Sequence, residues 1–210
     1  METKTTLSQR LWGIAPQQWR QPAVLAQAAI IAALYVVLTF VFLPISFGMV
    51  QFRIAELLML LCAFLPGATP GVILGCLLAN ILGQVGMVDI VFGTLATALA
   101  AIVTAALAQR LSLGARGTVP GTVSSASQKF QWAYLLLPLP TVISNALIVG
   151  TYLPLILTDV QFTVPVWLLS MLTVGLGEVG VLYILGIPAV WILERTGVFK
   201  RLHTETRLKH

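Results

Sequence analysis

Residues 23–43 read AVLAQAAIIAALYVVLTFVFL and hold no Asp, Glu, Lys or Arg. A helix rises 1.5 Å per residue, and about 20 apolar residues cross the roughly 30 Å hydrocarbon core of a bilayer. The stretch therefore reads as a membrane-spanning helix, Ala23 to Leu43, ended by Pro44, Ser46 and Gly48. It is too long for the core of a signal peptide, and no small-residue cleavage site clearly follows it, so no cleaved leader is expected.

Outward from this run the same composition repeats. Ile54–Leu65 and Gly71–Leu82 are short apolar stretches joined by Pro66-Gly67-Ala68-Thr69-Pro70, read as a turn between two short spans. A re-entrant pair is the alternative for them. Ile90–Leu111, Phe130–Leu157 and Val164–Leu193 complete a six-helix, all-α membrane bundle, with a loop rich in Gly, Ser and Thr at residues 112–128. The 210 residues are 58% hydrophobic and 9% charged, where a soluble domain carries about 25% charged residues. No internal repeat is evident, which weakens an inverted-repeat carrier.

The net charge of +5 is grouped. Lys4, Arg10 and Arg20 precede the first run, Arg110, Arg116 and Lys129 flank the middle loop, and Arg195, Lys200, Arg201, Arg207 and Lys209 close the chain. With six spans all of these fall on one side, which the positive-inside rule places in the cytoplasm together with both termini. Arg53 alone stands apart. Three regions result: an interfacial segment 1–22, the bundle 23–194 and a basic tail 195–210. Such spacing describes topology and gives no nucleic-acid footprint.

Ionisable residues within apolar spans cost several kcal/mol and tend to mark function. Arg53 and Glu56 open the second span, Asn80 lies in the third, Asp89 opens the fourth, Asn145 lies in the fifth and Glu178 sits mid-way along the sixth. Each also has a plainer explanation. Arg53 and Glu56, three residues apart, suit a local ion pair; Asp89 suits a helix cap; Asn145 and Glu178 suit hydrogen bonds between helices. Ala28/Ala32 and Ala29/Ala33 form two small-xxx-small pairs that favour close helix packing. Cys62 and Cys76 lie in apolar runs and read as small hydrophobes, with no disulfide or zinc site expected. There is no Walker-type phosphate loop, and both histidines, His203 and His210, are in the tail. No metal site, cofactor or catalytic nucleophile is expected.

Several blocks together resemble a known family. Gln51-Phe52-Arg53-Ile54-Ala55-Glu56 is similar to a QFRISE signature, Gly71 to Asn80 to GxxxGCxxAN, and Asp89 to Thr97 to DxxFGSLAT. Asn145 to Gly150 and the Gly175-x-Gly177-Glu178 block complete the set. The chain from about Ala23 to Leu193 thereby resembles the QueT family of queuosine-precursor transporters, substrate-binding S-components of energy-coupling factor (ECF) importers. Ala55 and Thr94 replace serines, and Tyr152 stands in a region where the family carries an acidic residue.

The resemblance implies a multi-pass protein of a prokaryotic plasma membrane that binds a small solute and partners a transmembrane coupling subunit and two ATPase subunits. It implies that Ala28, Ala29, Ala32 and Ala33 dock on the coupling subunit. For a 7-deazaguanine ligand, Glu178 or Glu56 would accept the paired N–H groups of the base, Asn80 and Asn145 would read other polar atoms, Asp89 would meet an aminomethyl ammonium, and Arg53 with Glu56 would form a polar wall of a cavity open to the outside. The alternatives are an S-component for another vitamin-like solute such as cobalamin, a stand-alone proton-coupled carrier using Glu56, Asp89 and Glu178, and, least favoured, an intramembrane enzyme.

Overall fold

A computed structural model describes residues 21–43, 52–83, 86–111, 113, 132–156 and 162–199. The expected interfacial N-terminus, most of the 112–128 loop and the tail beyond residue 199 lie outside these residues. The described chain forms six helical rods: α1 (Pro22–Val41), α2 (Ile54–Ala63), α3 (Ala68–Leu82), α4 (Asp89–Arg110), α5 (Trp132–Ile156) and α6 (Val164–Arg195). Four of them, α1, α4, α5 and α6, are long and apolar enough to cross a membrane.

The other two are shorter. α3 has 15 residues, about 22 Å at the α-helical rise. α2 has 10 residues wound as a 3-10 helix, about 20 Å at 2.0 Å per residue where an α-helix would reach about 15 Å. α2 is nonetheless the buried axis of the bundle. Glu56, Met59, Leu60, Cys62 and Ala63 are all buried, and the rod packs against α1, α3, α4 and the middle of α6. The alanines of α4 at 100, 101, 105 and 108 make that close packing possible.

The expected turn at 66–70 is shorter than the sequence indicated. α3 already begins at Ala68, so Pro70 lies in its first turn. There the missing N–H of proline has no intrahelical partner to lose.

Large apolar side chains cover the outside: Ile30, Val41, Leu147, Leu172 and Ile184 are each more than half exposed. Apolar surface of this extent suits hydrocarbon and would be a liability in water. At the end away from Arg53, Phe64 stacks between Tyr134 and Phe199, and the Tyr134 hydroxyl donates to Glu194. Gly197, at a φ of 73°, turns the chain so that Phe199 reaches this stack.

α1 and α3 approach closely through glycines. A Cβ at Gly71 would stand 2.8 Å from the Ala28 carbonyl oxygen, and one at Gly75 would stand 2.6 Å from Tyr35 Cβ. Ala28 and Ala32 are buried on this seam, whereas Ala29 and Ala33 are exposed. The two alanine pairs of α1 thus lie on adjacent faces, about 100° apart around the helix, one buried and one exposed.

Replacing Gly75 by valine is expected to separate α1 from α3 and to cost about 1–3 kcal/mol or more. Thermal unfolding of the purified protein in detergent should show a clearly lower midpoint, while Ala29→Val, on the exposed face, should leave it within about 0.5 kcal/mol of wild type.

Candidate functional site

All six polar residues singled out within the spans are buried in one bundle, where they fall into two groups. Arg53, just ahead of α2, donates from one guanidinium nitrogen to Asn80 Oδ1 on α3 at 3.0 Å and to Asp89 Oδ2 on α4 at 3.2 Å. Both members of the Arg53–Asp89 ion pair are 3% exposed. Asp89 Oδ1 accepts from the Tyr152 hydroxyl of α5. Asn80 Nδ2 donates to the Asp89 carbonyl oxygen at 3.1 Å. Asp89 is therefore held through both carboxylate oxygens and its main chain, and its side chain reaches across the bundle in place of the backbone capping its position suggests.

The second group centres on Glu56 and Glu178. The Tyr35 hydroxyl of α1 donates to Glu56 Oε1 at 2.7 Å. Asn145 Nδ2 on α5 donates to Glu178 Oε1 on α6, also at 2.7 Å. Asn145 and Thr97 stand beside Glu56 as well. Glu56 Oε2, Asn145 Oδ1 and Glu178 Oε2 are buried with no hydrogen-bond donor among the described residues. All three are acceptors. A buried acceptor without a donor costs about 1–3 kcal/mol, more when charged.

Local winding places these side chains. α4, α5 and α6 each contain a π-helical stretch: Asp89–Gly93, Asn145–Val149 and Gly180–Gly186. The first two begin on site residues, and the third begins two residues after Glu178. A π turn adds a residue to the turn and re-aims what precedes it, and such turns are frequent at functional sites. Close packing of glycine does the rest. A Cβ on Gly93 would sit 2.9 Å from Asp89 Oδ1, 3.0 Å from the Tyr152 hydroxyl oxygen and 3.1 Å from Asn80 Nδ2.

Tyr35, Cys76, Thr97 and Tyr152 join the site without having been chosen as site residues from the sequence. Thr97 Oγ1 donates to Cys76 Sγ at 3.2 Å, between the two groups. A polar ring within an apolar run was the available signal for Tyr35 and Tyr152; a threonine or a cysteine in a membrane helix gives almost none. The alanines of α1 lie apart from this polar centre, on the seam with α3 and on the exposed face next to it. A separate apolar hollow of about 260 Å³, lined by Phe52, Ile54, Gly180, Val181, Ile184 and Leu185, has none of the polar site side chains in its wall.

Compared with known proteins, residues 25–195 match the family model described as QueT transporter. No curated protein and no solved structure matches the chain.

Arg53→Met is expected to destabilise the protein by about 3–5 kcal/mol, because it leaves the Asp89 carboxylate buried without its cation. The double variant Arg53→Met/Asp89→Asn should recover a substantial part of that loss in the same unfolding measurement. Gly93→Ala tests the packing around the pair separately. Its added methyl group displaces Asp89, Tyr152 or Asn80, with an expected cost of about 1–3 kcal/mol.

Proposed function

The chain belongs to the QueT transporter family, and from that premise we propose that it is the substrate-binding subunit of an energy-coupling factor importer for a queuosine precursor, a 7-deazaguanine base. The family is one of transporters, not of enzymes. One observation carries the ligand assignment: Glu56 Oε2, Asn145 Oδ1 and Glu178 Oε2 form a buried set of acceptors without donors among the described residues. A ligand that suits such a set presents several N–H groups along one edge. The ring N–H and exocyclic amino group of a deazaguanine do so, and a carboxylate accepts both in a charge-assisted pair. The polar centre is enclosed by apolar helices, where each such bond is stronger than in water.

Six spans with both termini in the cytoplasm of a prokaryotic cell fit the grouping of Lys and Arg. α2 and α3 are then short spans, α2 packed among α1, α3, α4 and α6, and α3 packed on α1, α2 and α4 with Leu74, Leu78 and Ile81 facing outward. The chain carries no Walker-type loop, so the energy for uptake comes from two ATPase partners through a transmembrane coupling subunit. Ala29 and Ala33, exposed on α1, offer that subunit a smooth surface for close helix packing. Ala28 and Ala32, on the adjacent buried face, contribute by seating α1 on α3.

Calorimetric titration of the purified chain with 7-cyano- and 7-aminomethyl-7-deazaguanine, with cobalamin in parallel, tests the reading. Near-stoichiometric binding of a deazaguanine is expected, weakened roughly 10- to 100-fold in Glu56→Gln or Glu178→Gln. Unchanged affinity in both variants would overturn the assignment of the acceptors. Binding of cobalamin alone would replace the ligand and keep the role.

A further inference from the structure

Three carboxylates are buried at the polar centre, and they are not equivalent. Glu56 and Glu178 each keep one oxygen without a donor among the described residues. Asp89 keeps none: Arg53 holds Oδ2 and the Tyr152 hydroxyl holds Oδ1. The Tyr152 ring is fixed where this bond requires it. Tyr152 belongs to a buried apolar cluster with Ala96, Val149, Leu153 and Val174, and Phe92 lies against its ring with centroids 6.2 Å apart. Gly93 leaves no side chain between Tyr152 and Asp89. The tyrosine thus sits rigidly over one carboxylate oxygen.

On the reading that the site takes a 7-deazaguanine, we propose that Tyr152 determines specificity by occupying Asp89, so that the ligand's donors meet Glu56, Asn145 and Glu178 and a positive substituent on the ligand gains nothing from Asp89. A carboxylate oxygen inside an apolar bundle attracts any cation that reaches it. The phenol hydroxyl satisfies that oxygen without bringing a charge. Asp89 then acts as a positioning residue: it orients the Arg53 guanidinium, which also reaches Asn80, and does not itself touch the ligand.

The two deazaguanine probes differ at C7, where one bears a neutral nitrile and the other an aminomethyl group that is a cation at neutral pH. Their affinities would be measured by calorimetry on wild type, Tyr152→Phe and Asp89→Asn. Tyr152→Phe removes the hydroxyl and keeps the ring, so Oδ1 becomes available. The ratio of aminomethyl to cyano affinity is expected to rise about tenfold or more in this variant. Asp89→Asn is expected to weaken both probes by a similar factor, because it acts through Arg53.

An unchanged ratio in Tyr152→Phe would sink the proposal. So would a selective loss of the aminomethyl probe in Asp89→Asn, since Asp89 would then already hold the ammonium. Either result, with wild type still binding, leaves the ligand reading standing. Wild type binding neither probe overturns both. If Tyr152→Phe does not fold, the Asp89→Asn comparison decides alone.

Discussion

The Arg53–Asp89 ion pair, closed off from solvent, is the constraint around which the rest of the site is arranged. A guanidinium has five N–H donors and no acceptor, and placing it among apolar helices is costly unless its partners are fixed. Asn80 and Asp89, which accept from it, come from α3 and α4, and Asp89 in turn takes a bond from Tyr152 of α5. One side chain at the start of α2 therefore determines how three other helices meet. A buried pair of this kind seldom adds net stability over well-packed hydrophobic residues. What it supplies here is a fixed arrangement of α2, α3, α4 and α5 around a polar centre.

The opposite wall depends on close helix contact. Gly75 has no side chain, so Tyr35 of α1 lies directly on α3, and from that place its hydroxyl reaches Glu56. Packing on the seam and chemistry in the site are thus one arrangement. The same seam divides α1 into a face bound to its own chain and a face left outward, and only the latter is open to a partner.

The sequence marked out the rods well, because hydropathy and length are local properties. α1, α4, α5 and α6 lie within a few residues of where the apolar runs placed them. The apolar run begins only at Gly71, three residues into α3, because the prolines at 66 and 70 read as a turn, although a proline fits the first turn of a helix. The six polar candidates were legible for a similar local reason: an ionisable or amide side chain stands out in an apolar run. Their pairing was not legible. Arg53 has Glu56 three residues away, yet the carboxylate at 3.2 Å is Asp89, 36 residues on.

By itself, then, the sequence determined that this is a helical membrane protein, where its long helices run and which few polar residues they carry, since each follows from composition within a single stretch. The tertiary structure alone decided which carboxylate is saturated and which keep an open oxygen. It also decided which alanines of α1 are buried, and that tyrosines from α1 and α5 complete the site. Those outcomes depend on which helices lie side by side and how closely their glycines let them approach, which is a property of the packed bundle.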